Sequence, residues 1–152
     1  MQTVPMAMIP VTGDLFELGL PALGHGCNCA GSMGAGIAKQ FKQRFPEMYR
    51  EYRQRCQRGE FTLGDVFVWQ GGNVVVYNLA TQPVPRPSAT LKAIDTSIRA
   101  ALTDAERRGL PRVGVPRIGA GLGGLGWPDV AAVLDAAAAD HSTDLVVVSL
   151  PN

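Results

Sequence analysis

Two glycine-rich segments constrain this chain more than any other feature: Gly31-Ser32-Met33-Gly34-Ala35-Gly36 and Gly119-Ala120-Gly121-Leu122-Gly123-Gly124. Each follows a short apolar run and precedes a stretch with helical features, so each reads as a turn from a buried strand into a helix. A helix N-terminus leaves backbone N–H groups without partners, and glycine lets a ligand approach them closely. Two such loops at strand ends make a cradle for a diphosphate. Either loop alone serves equally well as a tight turn that needs glycine for geometry. A Rossmann-type site needs G-x-G-x-x-G straight after the first strand and an acidic residue about twenty positions on. Here the first strand ends in Thr12-Gly13-Asp14-Leu15, and neither loop fits that pattern.

The surrounding pattern supplies the rest of the architecture. Residues 4–11 and 22–27 are short apolar runs expected as buried strands. Between residues 36 and 45, Ile37, Ala38, Phe41 and Phe45 recur at helical spacing and leave Lys39 to solvent. Pro46 ends that helix and opens another, with Met48, Tyr49, Tyr52 and Cys56 inward and Arg50, Arg53, Arg55 and Arg58 outward. Residues 66–69 and 74–79 flank Gln70-Gly71-Gly72-Asn73 and predict a hairpin. Ser88 is the expected cap of a long helix whose buried stripe is Leu91, Ile94, Ile98, Leu102 and Ala105. A strand over 112–116, a helix from Pro128 to about residue 139 and a strand over 145–150 complete the chain. Strand–helix alternation around a central hairpin predicts an α/β fold with a mixed sheet covered on both faces.

A length of 152 residues suits one compact domain spanning 1–152. With 46% hydrophobic and 18% charged residues the composition excludes disorder and low complexity. A net charge of +1 excludes a large uniform field toward nucleic acid or membrane, so any phosphate must be held locally. No run is long enough to cross a bilayer and no basic leader precedes the apolar start, which predicts a cytoplasmic monomer without a membrane partner. Cys27, Cys29 and Cys56 are odd in number and lack zinc spacing, so free thiols are expected, with neither metal nor cofactor.

Three motifs then carry a family resemblance: Gly13-Asp14-Leu15-Phe16, the run from His25-Gly26-Cys27-Asn28-Cys29 through Gly36-Ile37-Ala38, and Pro116-Arg117-Ile118-Gly119-Ala120-Gly121-Leu122. Their order resembles the macrodomain superfamily over essentially the whole chain. Within it they resemble the branch with terminal ADP-ribose protein glycohydrolase, DNA ADP-ribose glycohydrolase antitoxins and yeast-type ADP-ribose-1″-phosphate phosphatase. The resemblance implies a three-layer α/β/α fold with a central mixed β-sheet, and binding of ADP-ribose. It places Asp14 and Leu15 at the adenine, with Leu150 closing that end. Met33, Gly34, Ala35, Gly36 and Ile37 would form one wall of the diphosphate site. Ile118, Gly119, Ala120, Gly121, Leu122 and Gly123 would lie across it, leaving the distal ribose near Asn28, Ser32, Thr81 and Gln82.

The resemblance breaks where the protein glycohydrolase of that branch keeps a catalytic lysine and aspartate, because those positions read Gln82 and Gly123. Glutamine forms no Schiff base and glycine supplies no acid or base. Catalysis is then expected from positioning of water, with Asn28, Gln82 and His25 as candidate residues. His25 has two readings, an acid/base group or a satisfied core histidine. The implied activity is removal of ADP-ribose from acidic protein side chains or nucleic acid; the alternatives are a non-catalytic reader and an ADP-ribose-1″-phosphate phosphatase.

Overall fold

A computed structural model describes residues 6–151. In chain order these form β1 (Ile9–Thr12), β2 (Ala22–Asn28), α1 (Gly36–Arg44), α2 (Pro46–Gln57), β3 (Val66–Gly71), β4 (Val74–Gln82), α3 (Leu91–Arg107), β5 (Arg112–Val115), α4 (Trp127–Ala139) and β6 (Asp144–Ser149). Short 3-10 turns cover Leu15–Glu17 and Gly121–Gly123. The first strand is shorter than expected and begins only at Ile9; residues 4 and 5 of the expected run lie outside the described residues.

The six strands form one sheet in the order β1-β6-β5-β2-β4-β3. Every pairing is parallel except the β3–β4 hairpin. The five parallel strands therefore open their carboxyl ends on the same edge, and both glycine loops leave from that edge.

Side chains alternate across the sheet with the period of a strand, which divides the interior in two. Val75, Tyr77, Leu79, Val113, Val115, Leu145 and Val147 point into a core with Ile94, Ile98 and Leu102 of α3 and Val130 and Leu134 of α4. Leu23, Cys27, Val76, Ala80, Val146 and Val148 point the other way, into a core with Phe41 of α1 and Met48 and Tyr52 of α2. This is the three-layer arrangement the sequence pattern implies.

One expected feature is corrected. Thr90, not Ser88, caps α3, its hydroxyl oxygen accepting from the Ala93 amide at 3.1 Å. Ser88 stands too far upstream to reach that amide and donates instead to the Val84 and Arg86 carbonyls, at 3.1 and 2.8 Å.

Candidate functional site

A cavity of about 830 Å³ lies over the ends of β1, β5 and β6. Of the residues expected at a ligand it brings together Asp14, Leu15, Gly36, Ile37 and Leu150, and it adds Phe16, Gln40 and Arg117. Asp14 does two jobs there. Its Oδ1 accepts from the Phe16 amide at 2.9 Å, capping the turn that follows, and its exposed carboxylate lines the cavity. Leu150 is 78% exposed, an apolar wall with one free face.

The remaining expected residues flank this cavity rather than line it, along the two glycine loops. Gly36 has φ +60°, a backbone conformation that L side chains rarely adopt, and a Cβ built there would meet Leu122 Cδ1 at 3.2 Å. Leu122, itself 59% exposed, thus reaches from the second loop onto the first across the mouth of the cleft. The second loop is anchored from below: a Cβ at Gly119 would meet Ile94, Leu125 and Val130, and the Leu125 amide donates to the Gly119 carbonyl at 2.9 Å. Ile118 is buried and packs with Thr81 over Gly26. Ala120 is half-buried and Gly121 exposed.

The first loop is anchored by polar contacts from Asn28 and α2. Asn28 Oδ1 accepts from the Ala30 and Ser32 amides at 2.9 and 3.3 Å, and Nδ2 donates to the Ser32 carbonyl at 2.8 Å. The fully buried Tyr52 hydroxyl donates to the Asn28 carbonyl at 2.7 Å. The Asn28 amide thus closes its own loop through three bonds, which leave one of its two Nδ2 hydrogens over. Met33 also turns inward, buried in the α1–α2 core, so only its backbone can face a ligand. Ser32, Gly34 and Ala35 remain exposed.

Gln82 and Gly123 stand side by side. A Cβ at Gly123 would lie 3.6 Å from Gln82 Oε1. Gln82 Nε2 donates to the Val84 and Arg86 carbonyls at 2.8 and 3.1 Å, fixing the amide so that its oxygen faces the second loop.

His25 resolves to the core reading. It is wholly buried, stacks on Phe41 with ring centroids 3.8 Å apart, and is the register partner of Asn78. Its Nε2 donates to Asn78 Oδ1 at 2.7 Å, while Asn78 Nδ2 donates to the Phe67 carbonyl. Burial pushes its pKa down from 6.5 to about 4 against the opposing pull of the Asn78 bond. A neutral imidazole sealed under Phe41 has no surface to offer a substrate, so the acid/base expectation for His25 is corrected. The three cysteines are unpaired, with burial raising the pKa of each.

Two site residues escaped the sequence reading. Tyr52 passed as one apolar position on α2, because nothing in helical spacing reveals where its hydroxyl ends. Arg117 is the single positively charged side chain on the cavity among the described residues, and its place between the end of a strand and a glycine loop was the available signal. Charge is also uneven along the chain. Residues 36–59 carry seven Lys or Arg (39, 42, 44, 50, 53, 55 and 58) against Glu47 and Glu51, while the rest carries seven against eleven acidic residues. The basic segment meets the first loop where Arg53 packs beside Gly31.

A doubly covered mixed sheet with two glycine loops meeting over a cleft at its strand ends defines an α/β ligand-binding domain of the macrodomain type. The Macro domain family model matches residues 25–134, and the chain belongs to that family. It is 38% identical over 123 residues to a DNA ADP-ribosyl glycohydrolase of Mycobacterium tuberculosis, a match covering 78% of this chain and 35% of that protein. The chain thus spans about a third of the length of that relative. It is 30% identical over 142 residues to an ADP-ribose 1″-phosphate phosphatase of Candida albicans, covering 82% of this chain and 89% of the relative. The solved macrodomain of Mycobacterium tuberculosis DarG superposes with a TM-score of 0.85 at 34% identity, over 95% of this chain and 99% of that one.

Proposed function

We propose that the chain binds ADP-ribose along the carboxyl edge of its sheet and hydrolyses the bond joining it to a nucleic acid. Adenine lies against Asp14 and Leu15, the diphosphate lies between the two glycine loops, and the distal ribose extends toward residues 28–32 and 81–82. The observation that carries this reading is the meeting of the loops, Leu122 on Gly36, beside the cavity that begins at Asp14. Backbone amides on both sides can then hold phosphate oxygens without a cationic pocket. Nucleic acid is favoured over acidic protein side chains by the Mycobacterium relative and by the basic segment that meets the first loop at Arg53.

With Gln82 and Gly123 in place of lysine and aspartate, hydrolysis goes by attack of water on the anomeric carbon. The bond to the base breaks, its electron pair leaves with the base, and the water proton follows. Gln82 Oε1, held by the two bonds of its Nε2, is placed to accept from that water, and the loops hold the ribose in reach of it. A site built on positioning alone turns over slowly. A reader without turnover is the second reading, favoured by the same Gln82 and Gly123. A phosphatase is disfavoured, since the buried His25 cannot serve as its acid or base.

The test is release of ADP-ribose from ADP-ribosylated DNA, from a glutamate-linked peptide and from the 1″-phosphate, with ADP-ribose calorimetry alongside. Release from DNA is the expected result. Binding without release from any substrate makes the chain a reader, and no binding overturns the proposal.

A further inference from the structure

We infer that Arg117 is a ligand-binding and specificity residue that holds the phosphate attached to adenosine, an assignment that rests on the ADP-ribose reading above. Among the described residues the cavity at the strand ends is lined by two charged side chains, Asp14 and Arg117, so of these Arg117 supplies the positive charge a diphosphate would meet there. The cavity is the adenosine end of the cleft, marked by Asp14, Leu15 and Leu150. The first anionic group of the ligand beyond the nucleoside is therefore the proximal phosphate.

The side chain is exposed yet fixed in place. Its Nε donates to the Ser149 hydroxyl at 2.9 Å, and its Cζ sits 4.9 Å from the centroid of the Trp127 ring at the start of α4. One contact holds the guanidinium to the end of β6 and the other to α4. Among the described residues no partner engages its Nη hydrogens, which leaves two nitrogens for the forked contact that guanidinium makes with phosphate. Arginine thereby adds a charge-assisted contact to a diphosphate otherwise held by neutral amides. It also discriminates against nucleosides that lack a 5′-phosphate.

Affinities for ADP-ribose, AMP and adenosine should be measured by calorimetry for the wild-type chain, Arg117→Gln and Arg117→Lys. Arg117→Gln should weaken ADP-ribose and AMP by about tenfold, the scale of a partly exposed charged hydrogen bond, and leave adenosine unchanged. Its ADP-ribose affinity should also depend less on salt. Arg117→Lys should recover part of the loss, since it keeps the charge and gives up the fork. Equal weakening of all three ligands would make Arg117 only a wall for the adenosine and overturn the inference, as would unchanged affinities. A wild-type chain that binds none of the three would overturn the ADP-ribose reading itself.

Discussion

Acid should destabilise this chain through one buried ring, and His25→Gln should remove that sensitivity. In the folded chain His25 titrates at about 4, pushed down from 6.5 by burial. Between those values the unfolded chain takes up a proton that the folded chain refuses, so acid favours unfolding. The His25 contribution is thus fully present above pH 6.5, falls away as the pH drops toward 4, and changes no further below it. Each pH unit in the window costs about 1.4 kcal/mol, accumulating to on the order of 3 kcal/mol. Carboxylates also titrate in acid, so the measurement is a difference. Urea unfolding of wild type and His25→Gln is followed from pH 7.5 to 4.5. Glutamine keeps an N–H for Asn78 Oδ1 and does not titrate in this range. The stability difference should be flat above pH 6.5 and move in favour of the variant below it. Parallel curves would refute the burial argument. A His25-dependent limb in the pH profile of ADP-ribose release would refute it too, by returning the imidazole to the chemistry.

The other substitutions address the loops. Gly121→Glu should abolish ADP-ribose binding in calorimetry while the chain stays folded. Nothing lies within 4 Å of a Cβ there, and the positive φ of 61° costs about 1–2 kcal/mol. Asn28→Ala should reduce both binding and release severely, because three hydrogen bonds that close the first loop go with it. Gln82→Ala should leave ADP-ribose affinity near wild type and lower release only in part, a split that single-turnover assays beside calorimetry would read.

The legible part of the molecule was what local chemistry announces. Glycine at a strand end, proline at Pro46 and Pro128, and the stripe of Leu91, Ile94, Ile98 and Leu102 each dictate local structure, and the structure follows them. Sheet order was not legible, because nothing in residues 9–12 says that β1 lies beside β6 at the far edge. Side-chain destination was the other blind spot. Asn28 sits in the expected motif, but nothing there announces that its amide closes its own loop or that Tyr52, twenty-four residues away, also donates to its Oδ1. His25 shows the same limit, since its environment is made by Phe41 and Asn78 from two other elements.

The two walls of the cleft belong to different halves of the interior. The first loop hangs from Tyr52 and Met33 in the α1–α2 layer, the second from Ile94 and Val130 in the α3–α4 layer, and the sheet separates them. A ligand held by both loops is therefore a stitch across a seam, joining two bodies of side chains that lie on opposite faces of the sheet. Its binding energy must be surrendered whenever either layer opens, so a bound ligand slows the breathing of both cores although it enters neither.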